Sequence, residues 1–171
     1  MNYQGKTMHN RSFHVALTCV LLFLTTSATV LYAGNISRWL NQAIYVPLYS
    51  HIYADDRYKD KPFALTATLS IRNTDPKFGL VLDTVDYYDS EGKKLRSYIE
   101  KPVPVAPLVS TQFIVRESDK GGGSGAKFLV RWHADRPVSE PIVESIMIGT
   151  QMQQGISFIS PGRVIDGTIS K

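Results

Sequence analysis

Acid–base or metal chemistry in this chain has two imidazoles to draw on beyond residue 33, His51 and His133. His51 opens the run HIYADD, with Tyr53, Asp55 and Asp56 close behind it, and His133 stands two places before Asp135. Imidazole nitrogen beside carboxylate oxygen is a donor set for a borderline or hard divalent cation. His51, Asp55, His133 and Asp135 are therefore the metal-ligand candidates, although no spacing brings four of these groups to one point. The same two histidines are where a hydrolase-like enzyme would place its base, if another strand supplied a nucleophile or a carboxylate. The plainer reading makes both of them surface or strand-end residues.

Other constellations are weaker. Asp83, Asp86, Asp89 and Glu91 crowd one stretch, but Asp83 and Asp89 share strand parity six residues apart, about 20 Å and too far for one acid–base pair. Gly121, Gly122, Gly123 and Gly125 have the composition of a phosphate loop without its Gly-Lys-Ser/Thr ending. No serine sits in a Gly-x-Ser-x-Gly elbow. No cofactor is expected. Two surfaces remain as interaction candidates. One is an aromatic strip of Tyr45, Tyr49 and Tyr53, extended by Tyr58, whose duller role is to cover a core. The other is the loop SDKGGGSG, residues 118–125, expected to be mobile and exposed because glycine is costly to order. Met147 and Met152 read as packing residues.

The elements that must position these groups are strands. In FALTATLSIR, residues 63–72, Leu65, Ala67, Leu69 and Ile71 fall on one face, with Thr66, Thr68, Ser70 and Arg72 on the other. Asn73, Thr74, Asp75 and Pro76 stop that run, and an apolar-rich one resumes at Leu80. Asp89-Ser90-Glu91-Gly92 turns a hairpin, and Pro102, Pro104 and Pro107 make residues 101–109 an extended crossover. Residues 110–117 and 126–134 are strands, the second alternating with Phe128, Val130 and Trp132 on one face. Further strands follow at 142–149 and from Gly155. Residues 42–54 read as an edge strand, or two short strands joined at Pro47. The fold class is all-β: an immunoglobulin-like sandwich of seven or eight mainly antiparallel strands over residues 42–165, with a linker at 34–41 and a tail at 166–171.

Composition narrows the setting. With Lys6 and Arg11 of the leader set aside, 17 basic residues face 15 acidic ones and are spread along the chain, so nucleic acid is not an expected partner. The densest basic group, Lys93, Lys94 and Arg96, reads as a solvated hairpin flank. Residues 1–33 have a basic start without acids and the apolar run VALTCVLLFL, the pattern of a signal peptide or of a membrane anchor through residues 15–33. Either places the domain in the periplasm or otherwise outside the cytoplasm. The single cysteine, Cys19, lies in that run, so the remainder has neither a disulfide framework nor thiolate zinc sites.

IRNTD at 71–75, LDTVDYYDSEGK at 82–93, the glycine-rich loop followed by FLVRW at 128–132, and VESIMIG at 143–149 together carry a likeness. From about His51 to Ile165 the chain resembles a bacterial domain family of unknown function, numbered 3124 among such families. The resemblance implies export and a shared fold, and it transfers no catalytic or binding residue. The strand end at Asn73 is also similar in architecture to sandwich domains of stress-related desiccation proteins. Taken with the residues, the expectation is a non-enzymatic interaction or structural module of the cell envelope, with an envelope protein or polymer as partner.

Overall fold

The structure is a computed structural model that describes residues 37–53, 61–151 and 153–170. Its elements are all strands: β1 (Arg38–Pro47), β2 (His51–Ile52), β3 (Phe63–Ala64), β4 (Thr66–Arg72), β5 (Leu80–Tyr88), β6 (Lys94–Ser97), β7 (Val103–Val105), β8 (Ser110–Val115), β9 (Lys127–Ser139), β10 (Ile142–Gln151), β11 (Gln154–Pro161) and β12 (Arg163–Ser170). Every pairing is antiparallel. One sheet has the order β12-β1-β9-β5-β6, with β7 also on β5; a second has β11-β10-β4-β8; β2 and β3 form a small ribbon.

Alternation explains why the two larger sheets share one interior. The faces expected to be apolar, Leu65 just before β4 with Ala67, Leu69 and Ile71 of β4, and Phe128, Val130 and Trp132 of β9, are buried in a single cluster with Ile44, Val46, Leu82, Val85, Tyr87 and Met147. Burying a side chain of this size contributes roughly 1.5–3 kcal/mol relative to leaving it wet. A buried polar seam accompanies it. Gln42 accepts from Trp132 Nε1 at 3.2 Å, and the Ser145 hydroxyl of one sheet donates to the Pro47 carbonyl of the other.

Several expectations are corrected. Among the described residues twelve strand segments replace seven or eight, because β2, β3 and β7 are too short for a periodic signal. The strand read as an edge is internal: β1 begins at Arg38, within the supposed linker, and lies between β12 and β9. Pro47 is tolerated there because its nitrogen side is turned from β9, whose ladder continues with Leu48 N donating to Ala126 O, and lies beyond the last β12 pair at Tyr45. The supposed tail is β12. β11 and β12 form one run that changes sheets at Gly162, whose added Cβ would meet Val143 O and Ile44 Cγ2, both at 2.7 Å. The proline crossover contributes β7 to β5. In β5 the alternation itself shifts. Val81 and Leu82 face His133 and Trp132, whereas Thr84 already faces Arg131, so Asp83 is an inserted residue and burial moves from Leu80/Leu82 to Val85/Tyr87.

Candidate functional site

The bulge in β5 assembles the one histidine–carboxylate pair among the described residues. Turned out of the ladder, Asp83 brings Oδ1 to 2.8 Å from His133 Nδ1, on the outer face of the sheet. The His133 side chain is about half exposed and that of Asp83 about a third. This is the orientation a general base needs, with Asp83 rather than the expected Asp135 as its partner. No three residues among histidine, cysteine, aspartate and glutamate come together as a metal group among the described residues. His51 instead spends both ring nitrogens locally, with Ser50 Oγ 3.1 Å from Nδ1 and Tyr53 OH 3.2 Å from Nε2. Asp55, Asp56, Tyr58, Met152, Cys19 and the leader lie outside the described residues.

The aromatic strip divides. Tyr45 and Tyr53 are exposed, whereas Tyr49 packs against the core and meets Phe158 edge-on at 5.7 Å. Met147 is fully buried packing, as expected. The basic hairpin flank is neutralised, with Lys94 2.8 Å from Asp86 and Arg96 paired with Asp119.

The glycine loop is tied down rather than loose. Gly122 O accepts from Ser90 N and Oγ, Gly123 O accepts from Ser50 N and Oγ, and Gly125 N donates to Ser90 Oγ. Lys127 Nζ caps the Asp89 carbonyl from the other side. Gly122 is buried against Tyr87, and a Cβ there would lie 2.0 Å from the tyrosine hydroxyl. Glycine is needed at this place for close approach, which composition alone read as freedom. Burial, with the nearby Asp119 and Tyr98, pushes the Tyr87 hydroxyl up to about 12 against the opposing pull of Arg96.

At the opposite end of the sandwich, the residues read as a simple stop form a corner. Asn73 Nδ2 donates to the carbonyls of Phe78, Val105 and Ala106, and its Oδ1 accepts from Asp75 N. Asp75, 1% exposed, accepts from Lys77 N and Phe78 N on one oxygen and from Ser139 N and Arg38 on the other. Burial alone would raise its pKa. The three backbone donors, helped by Arg38, overcome that and hold it down at about 2. This corner sets the Lys77–Gly79 turn as one wall of an open groove of about 610 Å³, closed by Pro104–Pro107 and Ala134–Arg136. Its floor is apolar, and the Arg136 guanidinium sits 4.9 Å over the Phe78 ring. The groove offers shape and cations but no base with a nucleophile.

The family description called "Protein of unknown function (DUF3124)" matches residues 41–165. The chain belongs to this family. Its matched span takes in β1 from Asn41 through the first residues of β12, and so includes the Asn73–Asp75 corner, the Asp83–His133 pair and the anchored glycine loop. A solved structure described as that of Thermotoga maritima 1070 is similar at 11% identity, covering 74% of this chain and 97% of that one with a TM-score of 0.43. No curated protein matches the chain. Family membership carries no activity to any of these residues.

Proposed function

We propose that this chain is an exported, non-enzymatic interaction module of the bacterial cell envelope, and that its sandwich is immunoglobulin-like. The pairing of β4 with β8 in one sheet and β5 with β9 in the other supports the second part, being the B–E and C–F arrangement at the centre of that fold. The flanking strands differ, since β10 joins β4 and β1 joins β9. Export rests on the basic start and apolar run of residues 1–33. Among the described residues no helix is long and apolar enough to cross a membrane.

The observation that carries the interaction reading is the outer face of the four-stranded sheet. Its register lines up Ile114, Thr68, Ile146 and Ile159 across all four strands. Ile114, Ile142, Ile148 and Ile159 are 50%, 46%, 52% and 57% exposed, and the charged members of the face, Arg72 and Glu144, pair with each other at 3.4 Å. A contiguous apolar face of this kind marks a docking surface. Crosslinking in intact cells, followed by identification of captured envelope proteins, tests it. Ile114→Asp and Ile142→Asp should lose the partners of the parent chain. Partners unchanged by both substitutions would exclude this face, and a parent chain that captures none would remove the interaction role.

The Asp83–His133 pair favours a second reading, a hydrolase-like enzyme based on His133. Loss of a measured hydrolytic activity in His133→Ala, with the fold intact, would support it over the first.

A further inference from the structure

From Ser145 to Pro161 the chain runs 17 residues without a charge. These residues form most of β10 and all of β11, and β11 is the last strand of its sheet. Natural edges are blunted by charge, proline or a covering group. β6 carries Lys94 and Arg96, β7 has Pro104 at its centre, and β8 has its Ile114 carbonyl occupied by the Tyr98 hydroxyl. Among the described residues only Pro161, at its very end, blunts β11.

Which backbone groups β11 leaves open follows from its register. Gly162 N donates to Val143 O, and the ladder continues with Ser160 opposite Ser145, Phe158 opposite Met147 and Ile156 opposite Gly149. Antiparallel strands alternate, so these residues turn their amides inward to β10, and Gly155, Ser157 and Ile159 turn theirs out from the edge. Gly155 has no reason in one molecule to lack a side chain, because a Cβ there would meet nothing within 4 Å and its φ is not positive.

We propose that two copies of this chain pair through β11 about a twofold axis at Ser157, giving a continuous eight-stranded sheet. In that register Ser157 faces its own copy and each Ile159 lies opposite the partner's Gly155, a large side chain over a missing one. The outward amides of all three residues find partners. A twofold places the axial residue against itself, and here that residue is neutral, as is every neighbour on the strand. This goes beyond the envelope-partner reading and stands or falls separately from it, since the Ile114 and Ile142 variants leave β11 untouched.

The test uses the full chain with Cys19→Ser, purified from the producing cell. Facing residues of a hydrogen-bonded antiparallel pair have Cα atoms about 5.5 Å apart, within disulfide reach. Ser157→Cys should therefore oxidise to a covalent dimer, and Ser110→Cys on the β8 edge should not. In sedimentation, Ser157→Lys and Ser157→Glu should each weaken the dimer by about a hundredfold or more, and an equimolar mixture should restore it as a heterodimer. Tryptophan emission from the buried Trp132 reports whether each variant is folded. Monomeric parent protein, equal crosslinking through Ser110→Cys, or a folded Ser157→Lys that still dimerises overturns the proposal.

Discussion

Asp75→Asn is the most exacting perturbation of this fold. The carboxylate is 1% exposed and receives Lys77 N at 2.9 Å, Phe78 N at 3.0 Å, Ser139 N at 3.0 Å and Arg38 at 3.1 Å. Its pKa falls from 3.8 to about 2. At about 1.4 kcal/mol per unit, that displacement contributes about 2 kcal/mol of stability at neutral pH. The sign follows from which state binds the proton first. On acidification the unfolded chain protonates near its ordinary value while the folded chain resists, so the contribution is complete above about pH 4 and is lost as pH falls through about 2. Asparagine removes the charge and turns an amide donor toward Ser139 N–H or toward Lys77 N–H and Phe78 N–H, leaving at least one buried donor without an acceptor. A total loss of about 2–4 kcal/mol at pH 7 is expected.

Urea unfolding followed by tryptophan emission at pH 7, 5, 3 and 2 measures it. The two proteins should differ most at pH 7, narrow below about pH 4 and converge only toward pH 2, where the folded parent loses the same charge. Arg38→Gln separates the contributions, since Arg38 is half exposed and its ion pair should be worth less than about 1 kcal/mol. A gap between parent and Asp75→Asn that stays constant from pH 7 to pH 2, or one below about 0.5 kcal/mol, would refute the corner as an electrostatic anchor.

Three further outcomes follow from the same contacts. Gly122→Ala, whose methyl must displace the Tyr87 hydroxyl and Ala126 Cβ, should destabilise by more than about 2 kcal/mol in urea titration, whereas Gly155→Ala should leave the folding of the single chain within about 1 kcal/mol of the parent. Tyr87 has a folded pKa of about 12 above its ordinary 10, so its contribution is full below pH 10 and is lost as pH rises toward 12. Alkaline unfolding of Tyr87→Phe should be correspondingly shallower. Asp83→Asn should change stability by less than about 1 kcal/mol, because both members of the pair it breaks are more than a third exposed.

How much of this was legible depends on how far each feature reaches along the chain. The inward faces of β4 and β9 follow from local alternation, and both were readable from Leu65 to Ile71 and from Phe128 to Trp132. β5 defeats that rule at one residue: Asp83 is extra, parity reverses beyond it, and the apolar residues look two-sided. The bulge also hides the partner of His133, since proximity in sequence points to Asp135 while register delivers Asp83 from a strand far away in the chain. β1 misleads in another way, because a proline breaks a ladder only where its nitrogen faces a partner strand, and Pro47 turns that side away from β9 and lies past the last β12 pair at Tyr45. The glycine loop and the Asn73–Asp75 turn share a deeper difficulty. Their residue types describe what the backbone is free to do, but Ser50, Ser90, Tyr87, Ser139 and Arg38, all remote in sequence, decide what it does. Composition therefore located both ends of the sandwich but read one braced corner as a loose loop and the other as a simple stop, and the surfaces proposed for partners are the sheet face and edge where strand register, not loop chemistry, exposes isoleucine.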